Sequence, residues 1–178
     1  MTVGKAMVQA HGYNALSFRE IGKEVGISSA SVHHYFPTKG DLAAALARRY
    51  TEDGAVLLSD ILVTSQSAAQ CIDRYTDIFR AALLNENRMC LCGIMGAEYD
   101  DLPAKAREEV DKFVEANIVW LAQVLALKKP SPKKRDVRDH AMAVFAAVEG
   151  AQLVARGSGD ITIYDKTIIT YRSLGLFP

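Results

Sequence analysis

Between Ser28 and Lys39 the side chains outside the apolar positions are small or hydrogen-bonding. Ser28, Ser29, Ala30, Ser31, His33 and His34 stand there with no acid among them. Hydroxyls and imidazoles without a neighbouring carboxylate can approach phosphate oxygens and base edges closely, so this stretch is chemically suited to reading DNA. A second grouping, Cys90 and Cys92, has the spacing of soft-metal and thiol-sensor sites. If both lie on one helix, however, the turn of about 100° per residue points them roughly 200° apart and prevents joint chelation. They read first as small packing residues; a thiol- or metal-responsive sensor, with Cys71 and His140 joining from elsewhere, is the alternative. Glu98, Asp100 and Asp101 precede Pro103 and read as carboxylates stabilising a helix N-terminus.

A third set suits a pocket between helices. Tyr75, Phe79, Met89, Met95, Phe113, Trp120 and Phe145 are large or deformable apolar residues spread over several helical stretches. Asn117 and Glu149, with His140 and Gln152, are polar groups beside apolar helix faces and must find partners there. Tyr75, Phe79, Met89, Met95, Phe113, Asn117, Trp120, Phe145 and Glu149 are therefore the candidate ligand-binding residues. No nucleophile elbow, phosphate loop, zinc-protease motif or dinucleotide fingerprint occurs, and His140 with Glu149 or Cys92 does not make up for one. The expectation is no catalytic residue, no metal site, no cofactor and no enzymatic activity.

Apolar residues recur at helical spacing along nearly the whole chain, which predicts an all-α fold. A first helix covers 2–11 and stops at Gly12, and Ser17 with Glu20 forms a capping box that opens a second. Ser28 and Thr38 cap a short third helix and a long fourth one reaching about Leu62. Further helices are expected over 68–84 and 89–99, then from Pro103 along a face of Val110, Phe113, Val114, Asn117, Leu121, Val124 and Leu125. The Lys/Pro/Ser run over 128–135 reads as an exposed break, followed by helices over 135–156 and 161–174. The small residues Ala143, Ala146, Ala147, Gly150 and Ala151, with the stripe Ile161, Tyr164, Ile168 and Tyr171, predict a face covered by a second subunit. In the first forty residues Phe18, Ile21 and Val25 would bury one helix, Gly26 would supply the turn, and Ile27, Val32 and Phe36 would anchor the next. That layout fits a helix-turn-helix, and periodicity alone fits an ordinary helical hairpin as well.

Gly12-Tyr13, Ser17-Phe18-Arg19-Glu20-Ile21, Val25-Gly26-Ile27-Ser28, then Val32-His33-His34-Tyr35-Phe36-Pro37-Thr38-Lys39 and Leu42 resemble the DNA-binding domain of the TetR (tetracycline repressor) family of bacterial transcription regulators. The resemblance covers about residues 2–50. It implies an all-helical homodimer with a helix-turn-helix domain over 1–46 and a ligand-binding and dimerisation domain over 47–178. It further implies a repressor that a small-molecule effector releases from double-stranded operator DNA. Carried over position by position, Ser17, His34 and Lys39 would meet phosphate and Ser29, Ala30, Ser31 and His33 would face the major groove, with Ser28 also in the DNA-binding set. Ser29 and His33 replace the basic residue and the tyrosine found in many relatives, so no operator sequence follows. The first helix lacks the basic arm that often precedes it, and residues upstream of Met1 are expected. A helical dimeric interaction protein without DNA binding is the remaining alternative.

Composition agrees with a globular chain. Of 178 residues, 49% are hydrophobic and 24% charged, with 5 Pro and 12 Gly, which disfavours disorder and collagen-like repetition. Three cysteines are an odd number and argue for a reducing cytoplasm rather than a disulfide framework. No run approaches a membrane span or a signal peptide, so no membrane partner is expected. Net charge is zero, yet the first fifty residues carry six basic and three acidic side chains, a modest bias toward a polyanion.

Overall fold

The computed structural model describes residues 1–127 and 134–178. Nine α-helices run in order among them: α1 Thr2–His11, α2 Phe18–Val25, α3 Ser29–Tyr35, α4 Lys39–Thr64, α5 Ala68–Leu84, α6 Leu91–Ala97, α7 Ala104–Ala126, α8 Lys134–Ser158 and α9 Ile161–Ser173. Single 3-10 turns occupy Tyr13–Ala15 and Tyr99–Asp101. The expected all-α class is the observed one. The polar break lies outside the described residues as far as 133, and α8 begins at Lys134. The sixth helix is shorter than its apolar pattern because Cys90 is non-helical and sits at the N-cap, while Glu98 closes the other end. α8 runs through Ser158, so Gly159, with φ of 67°, makes the turn into α9.

The chain packs as two compact units, Met1–Glu52 with Cys90–Phe113, and Asp53–Met89 with Val114–Pro178. In the first, α1 packs on α2 and α6. Its buried side chains include Val8, Leu16, Phe18, Ile21, Val32, Leu42, Leu46, Leu91, Met95, Leu102 and Val110. Glu109 is also buried there and accepts from Arg48 at 2.9 Å and from Lys112 at 3.0 Å. Burial pushes this carboxyl up, but the hydrogen bonds from Arg48 and Lys112 outweigh it and hold Glu109 below the ordinary carboxylate range.

In the second unit α5, α8 and α9 pack on one another. Ile72, Tyr75, Leu121, Val124, Val144, Val148 and Ala151 are buried, and two polar side chains packed among these helices are answered from the backbone. The Gln152 amide donates to the Phe79 carbonyl at 2.8 Å, and the Tyr164 hydroxyl to the Thr76 carbonyl at 2.8 Å. Arg80 clamps Asp165 with bonds of 2.7 and 2.9 Å, fixing α9 on α5. The stripe expected to meet a second subunit is thereby corrected. Tyr164 is 1% exposed and Ile168 buried within this chain, and the half-buried Tyr171 lies against the Phe177 ring at 5.6 Å. Isoleucine and tyrosine at helical spacing mark a buried face without telling whose surface covers it. The side left to solvent carries Met142, Ala143, Ala146, Leu153, Val154 and Gly157 on α8 and Ile169 on α9.

Candidate nucleic-acid interface

Local sequence builds the reading element in three steps. The Ser17 hydroxyl caps α2 by accepting from the Glu20 amide at 3.4 Å. Gly26 ends it in the left-handed region, φ 78° and ψ 28°, where a Cβ is disfavoured, and the Ile27 amide returns to the Gly22 carbonyl at 2.9 Å. Ser28 then caps α3, its hydroxyl accepting from the Ser31 amide at 3.1 Å and meeting the Ser31 hydroxyl at 2.9 Å. Phe18, Ile21 and Val32 are buried as expected. Val25 and Ile27 are not: Val25, the last residue of α2, is 52% exposed, and Ile27, in the turn after Gly26, is 44% exposed. Phe36 is half-buried.

What remains outside α3 is Ser29, Ala30, His33, His34 and Tyr35, all exposed, while Ser31 is half-buried and joined to the cap. Among them His33 has a second contact, its ring edge-on to Phe18 at 4.4 Å. Tyr35, at 73% exposed, is the largest side chain of the group and stands edge-on to His34 at 5.5 Å. It was not among the expected contacts; its place beside His34 in the run ending at Phe36 was the available signal.

Of the residues expected on phosphate, Ser17 is half-buried and His34 exposed. Lys39 opens α4 and lies across the Tyr13 ring, 4.3 Å from its centre, with its ammonium donating to the Asn14 carbonyl at 3.0 Å. Burial lowers its pKa, and the nearby carboxylates of Glu98 and Asp101 oppose that shift. The helix start is capped reciprocally. Asp41 accepts from the Thr38 amide at 2.9 Å and from its hydroxyl at 2.6 Å, and the Asp41 amide donates to the Thr38 hydroxyl at 3.1 Å. Contact with Lys105, then these bonds, hold the Asp41 carboxyl below its ordinary range.

The acids before Pro103 have a different task from the expected capping of α7. Glu98 accepts from the Tyr13 amide at 2.5 Å and from the Asn14 side chain at 3.3 Å, and Asp101 accepts from that same amide group at 2.7 Å. Asp100 enters through its carbonyl, which takes a bond from Arg107 at 2.8 Å. The turn at 12–14 presents unanswered donors to Glu98 and Asp101, and a chain separation of 84 to 87 residues hid this from a local reading of the sequence.

With this geometry in view, the family model for bacterial regulatory proteins of the tetR family matches residues 1–46. A TetR transcriptional regulator from Legionella pneumophila is 33% identical over 97% of this chain and 93% of that one, with a TM-score of 0.90. The chain belongs to the TetR family. Two further regulators share the fold at lower identity. One from Agrobacterium tumefaciens is 24% identical, with a TM-score of 0.83 over 93% of this chain and 90% of that one. The other, from Rhodobacter sphaeroides, is 23% identical, with a TM-score of 0.84 over 96% and 93%. Among curated proteins none matches it. As a TetR-family member the protein is a DNA-binding transcription regulator, and its relatives are regulators rather than enzymes.

The TetR-family body is where an effector would be sought, and the nine candidate residues fall into both units. Tyr75, Phe79, Asn117 and Trp120 are brought together: the Tyr75 hydroxyl donates to Asn117 at 2.9 Å, its ring stacks on Trp120 at 5.2 Å and tilts on Phe79 at 5.1 Å. Trp120 donates to the Leu58 carbonyl at 2.7 Å. Met89 receives the Arg156 guanidinium at 4.0 Å, and Phe145 and Glu149 are half-buried one turn apart on α8. Met95 and Phe113 belong to the other unit, where Met95 is buried and Phe113 lies 5.6 Å from the Tyr50 ring. Cys71, Cys90 and Cys92 are buried and stand outside any disulfide. Among the described residues no group of three or more His, Cys, Asp or Glu is placed to hold a metal ion, and no helix is long and apolar enough to cross a membrane.

Proposed function

We propose that the protein is a cytoplasmic homodimeric repressor, with residues 1–46 holding double-stranded operator DNA and residues 47–178 forming the dimer and binding a small-molecule effector that releases it. The observation that carries this reading is the outer face of α3, where Ser29, Ala30, His33, His34 and Tyr35 are exposed together without an acid. Such a face can enter a major groove without repelling phosphate, and Ser17 and Lys39 flank it as phosphate contacts. The exposed apolar and small residues of α8 with Ile169 of α9 support pairing with a second copy, since a lone subunit would leave them in water.

A dimer places two reading helices on half-sites about one helical turn, roughly 34 Å, apart or somewhat more. An effector releases DNA only by binding more tightly to the dimer whose reading helices are wrongly spaced. α4 is one uninterrupted helix from Lys39 to Thr64, so displacement of its far end reaches the Lys39 end. The test is selection of duplexes from a random-sequence pool, followed by sedimentation of the protein alone. A near-palindromic winner and a dimer at micromolar concentration are expected, and Val154→Asp should yield monomers that no longer retain the duplex. A wild-type monomer, or a pool without enrichment, overturns the reading.

A further inference from the structure

We propose that Glu98, seconded by Asp101, is a positioning residue for operator binding, holding the turn at 12–14 and, through Asn14, the ammonium of Lys39; this presupposes that residues 1–46 bind operator DNA. The clasp is built from three chain segments of the first unit. The Glu98 carboxylate accepts from the Tyr13 amide at 2.5 Å. Asn14 is gripped by its side chain between Glu98 and Asp101 and presents its carbonyl to Lys39 at 3.0 Å. The Lys39 ammonium stands over the ring of Tyr13, 4.3 Å from its centre, and the Tyr13 carbonyl accepts from the Leu16 amide one residue before Ser17. Gly12 shows how closely the clasp is fitted. Its φ is 83°, and a Cβ there would stand 2.4 to 2.8 Å from the Glu98 carboxylate.

The physical gain is preorganisation. A free lysine loses rotamer entropy when it settles on a phosphate, whereas the Lys39 ammonium is already held over Tyr13 with one of its three donors committed to Asn14. The opposing effect is charge, because Glu98 and Asp101 add negative potential beside a group meant for phosphate. The two effects predict opposite outcomes for Glu98 variants, which makes the assignment decidable.

The experiment measures affinity for the duplex selected by the wild-type protein, over a salt series, for Glu98→Ala, Glu98→Gln, Lys39→Ala and the double variant Glu98→Ala with Lys39→Ala. Glu98→Ala should weaken binding by about threefold to tenfold, the cost of immobilising one rotamer-rich side chain on binding, and Glu98→Gln by less because it keeps an oxygen acceptor. Lys39→Ala should flatten the salt slope by about one unit. In the Lys39→Ala background the effect of Glu98→Ala should shrink, since both act through one ammonium. If the Glu98 and Lys39 losses multiply independently, the carboxylate is merely structural. If either Glu98 variant binds as tightly as the wild type or more tightly, charge repulsion governs; each result overturns the proposal. Should Glu98→Ala not fold, Glu98→Gln in both Lys39 backgrounds gives the same decision. A wild-type protein that selects no duplex overturns the operator reading itself.

Discussion

On α3 the residues expected to read DNA stand in solvent: Ser29, Ala30, His33 and His34 are exposed. In the second unit Tyr75, Asn117 and Trp120, expected to meet an effector, are buried and hydrogen-bonded to one another or to the Leu58 carbonyl. Apart from His33, the first set is carried by a scaffold it does not hold together; caps at Ser17 and Ser28, the turn at Gly26, and buried Phe18, Ile21 and Val32 do that. The second set is itself scaffold. Substitution on α3 therefore reports on recognition, whereas substitution at the buried cluster reports first on folding.

The largest expected effect is at Trp120. Replacing it by Ala removes a buried indole, a stacked ring and the bond to Leu58, and should cost about 3–5 kcal/mol in urea unfolding. A loss under about 1 kcal/mol would mean that the indole borders open space, and the cluster would then be a pocket wall rather than core. The next effect is on recognition. Ser29→Ala should change operator preference by about 1–3 kcal/mol between duplexes differing at one base pair, while leaving the urea midpoint within the range of about 0.5 kcal/mol usual for surface changes. Duplex competition measured beside unfolding checks both halves, and a shifted midpoint with unaltered preference would erase the contrast between the regions.

The two regions also differ in how much of them was legible. Local chemistry sufficed for α1 to α3, where Ser17, Gly26 and Ser28 each sit at a helix end and punctuate the chain within a few residues. The outward set on α3 followed from the same periodicity, although Val25 and Ile27 were misplaced because a turn releases residues that a continued helix would bury. Long-range pairing was not legible. Nothing within four residues of Glu98 announces Tyr13 or Asn14 as its partners, and Tyr164 and Ile168 carry no mark distinguishing a neighbouring α5 from a second subunit. The aromatic candidates were recognised as a class, but one class is distributed over both units, since core and pocket lining draw on the same residues.

The smallest expected effect is at His33, the residue that belongs to both regions' logic. It is exposed like its neighbours on α3, yet its ring meets the buried Phe18 edge-on at 4.4 Å, so it contributes to holding α3 on α2 as well as facing outward. An edge-to-face pair of this kind is worth roughly 0.5–1.5 kcal/mol beyond the area it buries. His33→Ala should lower the urea midpoint by that amount and change operator preference as well, because hydrogen-bonding nitrogens and ring are lost together. His33→Phe separates the two: it keeps a ring edge for Phe18 and should retain the midpoint, while removing the nitrogens and with them the preference. If both variants keep the wild-type preference, His33 is a packing residue that happens to be exposed, and the reading face narrows to Ser29, Ala30, His34 and Tyr35. If His33→Phe loses stability as fully as His33→Ala, the contact with Phe18 depends on the imidazole itself, and the separation between carried and carrying residues fails at this position.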